Sequence, residues 1–178
     1  MADQKITELD ELTTSASTDM LAIVDDPDGS PITKKIQVGN IISPSTKEFF
    51  CYPDSGVQYS TSYGGFLMRD VDSTSHVWFN WVMPHDFTSL TEAVIIIIPD
   101  TSKTIQWDLN TDFAAEGEAW NVNSTSSTDT ELAVTANQMT EIDVSGDLSG
   151  VAANDYCGIK FLSDTSNLHV GGLRIKYT

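Results

Sequence analysis

Indole rings, carboxylates and imidazoles are the groups in this 178-residue chain with the most chemistry to offer. The four tryptophans, Trp78, Trp81, Trp107 and Trp120, are broad flat surfaces on which a sugar ring could stack. Trp81 shares an apolar alternation with Val77, Phe79 and Met83, and Trp107 shares one with Ile105 and Leu109, so both are expected in a core. Trp78 falls on the opposite face from Trp81, and Trp120 adjoins a polar stretch. These two, with Asn and Asp residues nearby to hydrogen-bond hydroxyls, are the candidate contacts for a glycan.

Other chemistry is thin. Of the three histidines, His85 precedes Asp86 directly after Pro84, an arrangement that reads as a turn rather than a proton relay. There is no G-x-S-x-G elbow, no P-loop and no dinucleotide fingerprint, and Gly64-Gly65 and Gly171-Gly172 read as backbone devices. Asp25-Asp26-Pro27-Asp28-Gly29 lacks the alternating ligands and closing Glu of a calcium loop, so it reads as a turn with solvated carboxylates. Asp70 and Asp72 fall on one side of an extended segment and could share a cation, although solvated surface acids are the simpler reading. No catalytic residue, cofactor or metal ligand is therefore assigned, and an enzyme is not expected. Cys51 and Cys157 match no zinc or redox spacing; both sit in apolar stretches, so buried free thiols are expected, with a disulfide between them as the alternative.

Charge narrows the partners. Nine Lys and Arg against 26 Asp and Glu leave −17, which disfavours a nucleic-acid backbone or an anionic membrane surface as ligand. The longest aliphatic run, Ala93 to Ile98, is far short of the roughly 20 residues of a membrane helix, and no signal peptide is readable at Met1-Ala2-Asp3. The chain is expected to be made in a reducing cytosol. Nineteen serines and twenty threonines point to a surface rich in hydroxyls, as exposed strands and turns provide.

The elements that must hold these residues read as strands. Met20–Val24 and Ile32–Val38 flank a dense turn at 25–31, and Ser43-Pro44-Ser45 reads as a linker. Beyond it, strands are expected at 48–52, 65–71, 76–83, 93–98, 104–110, 140–145, 156–161 and 168–177. Four consecutive isoleucines, Ile95 to Ile98, predict a central strand covered on both faces. Leu168 and Val170 sit at even positions but Leu173, Ile175 and Tyr177 at odd ones, so a β-bulge is expected at Gly171-Gly172. Thr111–Asn121 is the one stretch with some helical character and the nearest candidate cover for the isoleucine strand. A single turn is expected at 148–153, and Asn121–Thr130, nearly all Asn, Ser, Thr and Asp, reads as an exposed loop. The fold expected is all-β: an antiparallel, jelly-roll-like β-sandwich over residues 46–178, preceded by a small β-hairpin module over 1–45.

The N-terminal residues carry a further signal. Lys5-Ile6-Thr7-Glu8-Leu9, a Ser/Thr-rich spacer, Thr18-Asp19-Met20-Leu21-Ala22-Ile23-Val24-Asp25-Asp26, a Pro-Asp-Gly-Ser turn and Thr33-Lys34-Lys35-Ile36 together resemble the N-terminal segment of structural proteins of tailed bacteriophages, of the head-fibre, decoration and tail-fibre types. The resemblance covers about residues 5 to 42. It implies that this segment attaches a displayed domain to the particle, with Ile6, Leu9, Leu21, Ile23, Lys34, Lys35 and Ile36 as the attachment residues. It further implies a homotrimer on the virion surface, in contact with other capsid or tail proteins. A capsid decoration or short head-fibre protein is the function expected; a tail-associated protein binding a host-surface glycan is the alternative. The chain has no long repetitive shaft, which favours the short particle-surface type over a true tail fibre.

Overall fold

The computed structural model describes residues 18, 20–25, 32–37, 45–54, 59–60, 63, 65–72, 74–164 and 168–178. The chain divides into two compact units, Met1–Ser45 and Thr46–Thr178. In the first, β1 (Met20–Asp25) and β2 (Ile32–Gln37) pair antiparallel, with Leu21 opposite Ile36, Ala22 opposite Lys35 and Ile23 opposite Lys34. Ile6 and Leu9, together with the turn at 26–31, lie outside the described residues.

The second unit contains β3 (Lys47–Cys51), β4 (Tyr59–Ser60), β5 (Met68–Val71), β6 (His76–Val82), β7 (Leu90–Pro99), β8 (Lys103–Ala114), β9 (Asn123–Val134), β10 (Thr140–Asp143), β11 (Tyr156–Ser163) and β12 (Leu168–Tyr177). From β5 onward the strands form two antiparallel sheets, ordered β5–β12–β7–β10 and β6–β11–β8–β9. Eight strands laid out this way are a jelly-roll sandwich. β4 extends the first sheet beyond β5, and β3 pairs with the C-terminal half of β12. The core lies between the sheets. Ala93, Ile95, Ile97, Val170, Leu173 and Ile175 meet Val77, Phe79, Ile105, Leu109, Ile159 and Phe161 there.

Alternation explains most of these strands, because the side-chain period of an extended chain is two. In β8, Ile105, Trp107, Leu109, Thr111 and Phe113 are buried while Gln106 and Asn110 are exposed. β7 departs from alternation as its four isoleucines predict. It runs between β10 and β12, with Ala93, Ile95 and Ile97 in the core and Val94 and Ile98 buried on the outer face. Ile96, also on that outer face, is only half-buried. The register of β12 against β7 shifts between Val170 and Gly172, which is the bulge that the change of parity requires. Trp107 is buried, Trp81 is half-buried against the core, and Cys51 and Cys157 are both free thiols. Burial pushes the Cys51 thiol up to about 11. Burial, with Asp155 and Cys51 as lesser causes, pushes Cys157 up to about 12.

Three expectations are corrected. Thr111–Asn121 is not helical and does not cover β7: β8 continues to Ala114 in the opposite sheet, because Thr111 and Phe113 prolong its inward alternation. Asn121–Thr130 is not a loop, since β9 starts at Asn123 as the edge strand of that sheet. Its hydroxyls find partners: Thr125 and Thr111 hydrogen-bond each other, Ser124 Oγ donates to Asp112, and Ser127 Oγ donates to Asp147 at 2.9 Å. The single turn expected at 148–153 begins earlier, as a 3-10 turn over Ser145–Leu148 that runs on into a hydrogen-bonded turn in which Val151 N–H donates to the Leu148 carbonyl at 3.3 Å.

Candidate functional site: a groove between two tryptophans

The outward face of the β6–β11–β8–β9 sheet carries polar residues in register. Lys160 on β11 stands between Trp78 on β6 and Asn110 on β8. One pair further along, Gly158 stands between Asn80 and Asp112, and beyond it Tyr156 between Val82 and Ala114. Cross-strand partners on one face lie roughly 5 Å apart, so these rows make a continuous surface. Gly158 leaves it low in the middle; a methyl group there would fit in ordinary contact, 3.6 Å from Asn80 Oδ1.

Trp78 is fixed from several sides. Its backbone pairs with β11 on one edge and exchanges two 2.8 Å hydrogen bonds with Asp54 on the other. His76 packs edge-on against the indole with ring centroids 5.2 Å apart, and Lys160 Nζ stands 5.7 Å from the indole centroid. Trp78 nevertheless remains 42% exposed.

Trp120 reaches the same surface from the β8–β9 connection, and it is 72% exposed. Two consecutive turns build that connection: Glu118 N–H donates to the Ala115 carbonyl at 3.2 Å and Val122 N–H to the Ala119 carbonyl at 3.0 Å. The Ala115 N–H returns a 3.0 Å bond to Glu118 Oε2. Gly117 has φ of +87°, a left-handed conformation open to glycine at little cost, and it turns the chain so that Trp120 follows.

Two adjoining hollows of about 600 and 470 Å³ open on this face, and both are lined by Trp78, Asn110, Asp112, Trp120 and Lys160. Tyr156, Glu116 and Glu118 complete the larger one. Such volumes are typical of small-molecule sites, in which a few polar groups orient a ligand against apolar walls. The walls here are indoles, and the floor offers amides that both donate and accept, a carboxylate that accepts and an ammonium that donates. That set matches a ring with apolar C–H faces and a hydroxyl rim.

The two tryptophans singled out in the sequence thus come together on one surface. Asn80, Asn110, Asp112, Tyr156 and Lys160 were not among the candidates read from the sequence. Their outward alternation is visible there, but not the pairing register that brings β6, β8 and β11 side by side. The remaining candidates are placed elsewhere. His85 is exposed, and Asp86 pairs with Lys47 and accepts from Tyr177 Oη at 3.4 Å. Asp72 accepts from Thr74 and Ser75, whereas Asp70 faces His169 Nδ1 at 2.5 Å, so these two acids have separate partners. Asp100 lies 2.9 Å from the other ring nitrogen of His169. Among the described residues no group of three His, Cys, Asp or Glu side chains could hold a metal ion.

No family model and no curated protein matches the chain. Among solved structures it is similar to the isomalto-dextranase of Arthrobacter globiformis T6 complexed with panose, at a TM-score of 0.47 and 7% identity, over 73% of this chain and 23% of that one. It is also similar to the exo-beta-1,3-galactanase of Phanerochaete chrysosporium with galactose, at a TM-score of 0.43 and 8% identity, over 86% of this chain and 36% of that one.

Proposed function

We propose that this chain is a phage virion surface protein whose N-terminal unit attaches it to the particle and whose jelly roll binds a neutral glycan. The observation that carries the glycan reading is the convergence of Trp78 and Trp120 on one face, with Lys160, Asn110 and Asp112 between them. Two exposed indoles flanking a polar floor expose apolar surface to water unless a ligand covers it. Charge selects the class of sugar. Asp112, Glu116 and Glu118 line the groove against the single cation Lys160, in a chain of net charge −17. A uronate or sialate would meet like charge there, while an uncharged hexose chain would not.

The reading is of binding without turnover. Asp112 already accepts from Ser124 Oγ, and Glu118 from the Ala115 N–H, so these carboxylates are engaged in holding the turn and the edge strand. Attachment by the N-terminal unit is supported by the phage-like pattern over residues 5 to 42 and by the division of the chain at Ser45.

A glycan array probed with the full chain tests the binding. Neutral hexose oligosaccharides should be retained and their uronate or sialylated counterparts not, with no release of reducing sugar on prolonged incubation. Retention confined to acidic glycans, or steady hydrolysis, would contradict the proposal. Removal of residues 1–44 should leave a folded sandwich that binds the same glycans but no longer joins particles.

A further inference from the structure

Strand pairing carries the groove's floor beyond the two tryptophans. One row sets Trp78, Lys160, Asn110 and Ser126 side by side, each from a different strand. The next row sets Asn80, Gly158, Asp112 and Ser124 across the same four strands. Neighbouring strands lie about 4.8 Å apart, so this floor measures about 14 Å from β6 to β9. The larger hollow covers its Asn80 and Tyr156 end, under the turn at 115–118, and the smaller one covers Ser124 and Ser126. Trp120 lines both hollows and so stands where they join.

The polar groups of the floor fall into two sets. Asp112, Ser124 and Glu118 are engaged in holding the edge strand and the turn. The exposed side chains of Asn80, Asn110 and Ser126, and the Lys160 ammonium, make no hydrogen bond or ion pair among the described residues. These uncommitted groups are spread from β6 to β9. A pocket for one sugar converges its donors and acceptors on a point; a row of them suits a chain.

We propose that the groove takes an internal stretch of a neutral glycan, about three hexose units laid across the strands, because a pyranose advances its chain by about one strand spacing. The inference rests on the neutral-glycan reading and adds length and direction to it. One unit lies beside Asn80 and Tyr156, the next against Trp120 over Asn110, and the third meets the Ser126 hydroxyl. β9 is the last strand of its sheet, so a fourth unit would project past the floor and gain no contact. Ser126 is thus the residue that sets how long a chain is read.

Titrations of the full chain followed by tryptophan fluorescence test this, with β-linked gluco-, galacto- and manno-oligosaccharides from the single sugar to the pentasaccharide. In a series that binds, affinity should rise by about tenfold or more up to the trisaccharide, as hydrogen bonds are added, and then level off. Ser126→Ile fills the far end of the floor with a side chain that an edge strand accommodates. It should keep the parent's circular dichroism and its affinity for the disaccharide, yet gain nothing from the third unit. A parent that binds the single sugar as tightly as the trisaccharide, or a Ser126→Ile protein that keeps the parent's preference for the trisaccharide, would overturn the inference and leave the glycan reading intact. A parent that binds no member of any series would remove the reading, and the inference with it.

Discussion

Phe50 lies across Gly172: a methyl group added to that glycine would stand 2.0 Å from Phe50 Cζ and 2.9 Å from the Cys51 carbonyl oxygen. The ring could swing aside into solvent, but the carbonyl belongs to β3, which is paired with β12 at Leu173. Gly172→Ala should therefore destabilise the sandwich by about 1–3 kcal/mol, the usual range for overpacking. Gly171→Ala presses on the flexible end of Met68, 3.1 Å away, and meets Ile96 in ordinary contact at 3.7 Å, so it should cost less than half as much. Urea midpoints at constant slope read both. Equal midpoints for the two variants would mean that Phe50 and β3 do not close over the bulge.

The two faces of β7 should respond differently to charge. Ile97 is fully buried between the sheets, so Ile97→Asp would bury an unpaired carboxylate at a cost of several kcal/mol, comparable to the whole stability of a domain. Soluble protein should not be recovered. Ile96 is half-buried on the outer face, beside an open apolar groove lined by Phe50, Leu67 and Met139, where an aspartate can reach water. Ile96→Asp should fold with a loss of about 1–2 kcal/mol. From sequence alone the two substitutions look equivalent; the structure separates them, and a folded Ile97→Asp protein would refute that separation.

Acid should weaken the outer sheet through Glu92. Hydrogen bonds from Arg174 and then Lys176 hold its carboxyl below the ordinary value of 4.5. A carboxylate whose folded value is lowered contributes stability that is present above the unfolded value and is lost as pH falls through the folded one. Glu92→Gln removes that contribution, so the decline in urea midpoint between pH 5 and pH 3 should be shallower in the variant than in the parent. The pair is partly exposed and screened, so the difference should shrink in high salt. Identical acid limbs would show that Arg174 and Glu92 do not interact in solution.

How much of this could be read from residues alone depends on which interaction set each element. Strands with one buried face, such as β6, β8 and β11, are visible because burial imposes the period of two. The parity change at Gly171-Gly172 likewise announced its bulge. β9 was missed because its residues are mostly polar: an edge strand of Ser, Thr and Asn is held by ladder and hydroxyl hydrogen bonds, which leave no hydrophobic pattern. Trp78 was distinguishable from Trp81 by the face it occupies, and Trp120 by the polar stretch it adjoins. Their meeting, however, depends on the register of β6 against β11 and on the turns around Gly117, which are tertiary facts. The apolar groove beside Ile96 was hidden for the same reason, since Phe50, Leu67 and Met139 come from three separated segments.

The central claim is that Trp78 and Trp120 form one neutral-glycan site. Calorimetric titration of the full chain, Trp78→Ala and Trp120→Ala with a neutral hexose trisaccharide retained on the array, beside its uronate counterpart, tests it most directly. Both indoles are exposed, so neither substitution should alter the fold. The account predicts saturable binding by the parent, a loss of about tenfold or more in either variant, equivalent to about 1.4 kcal/mol, and no measurable binding of the uronate. Parent-like affinity in both variants, or no neutral trisaccharide bound at all, would contradict it.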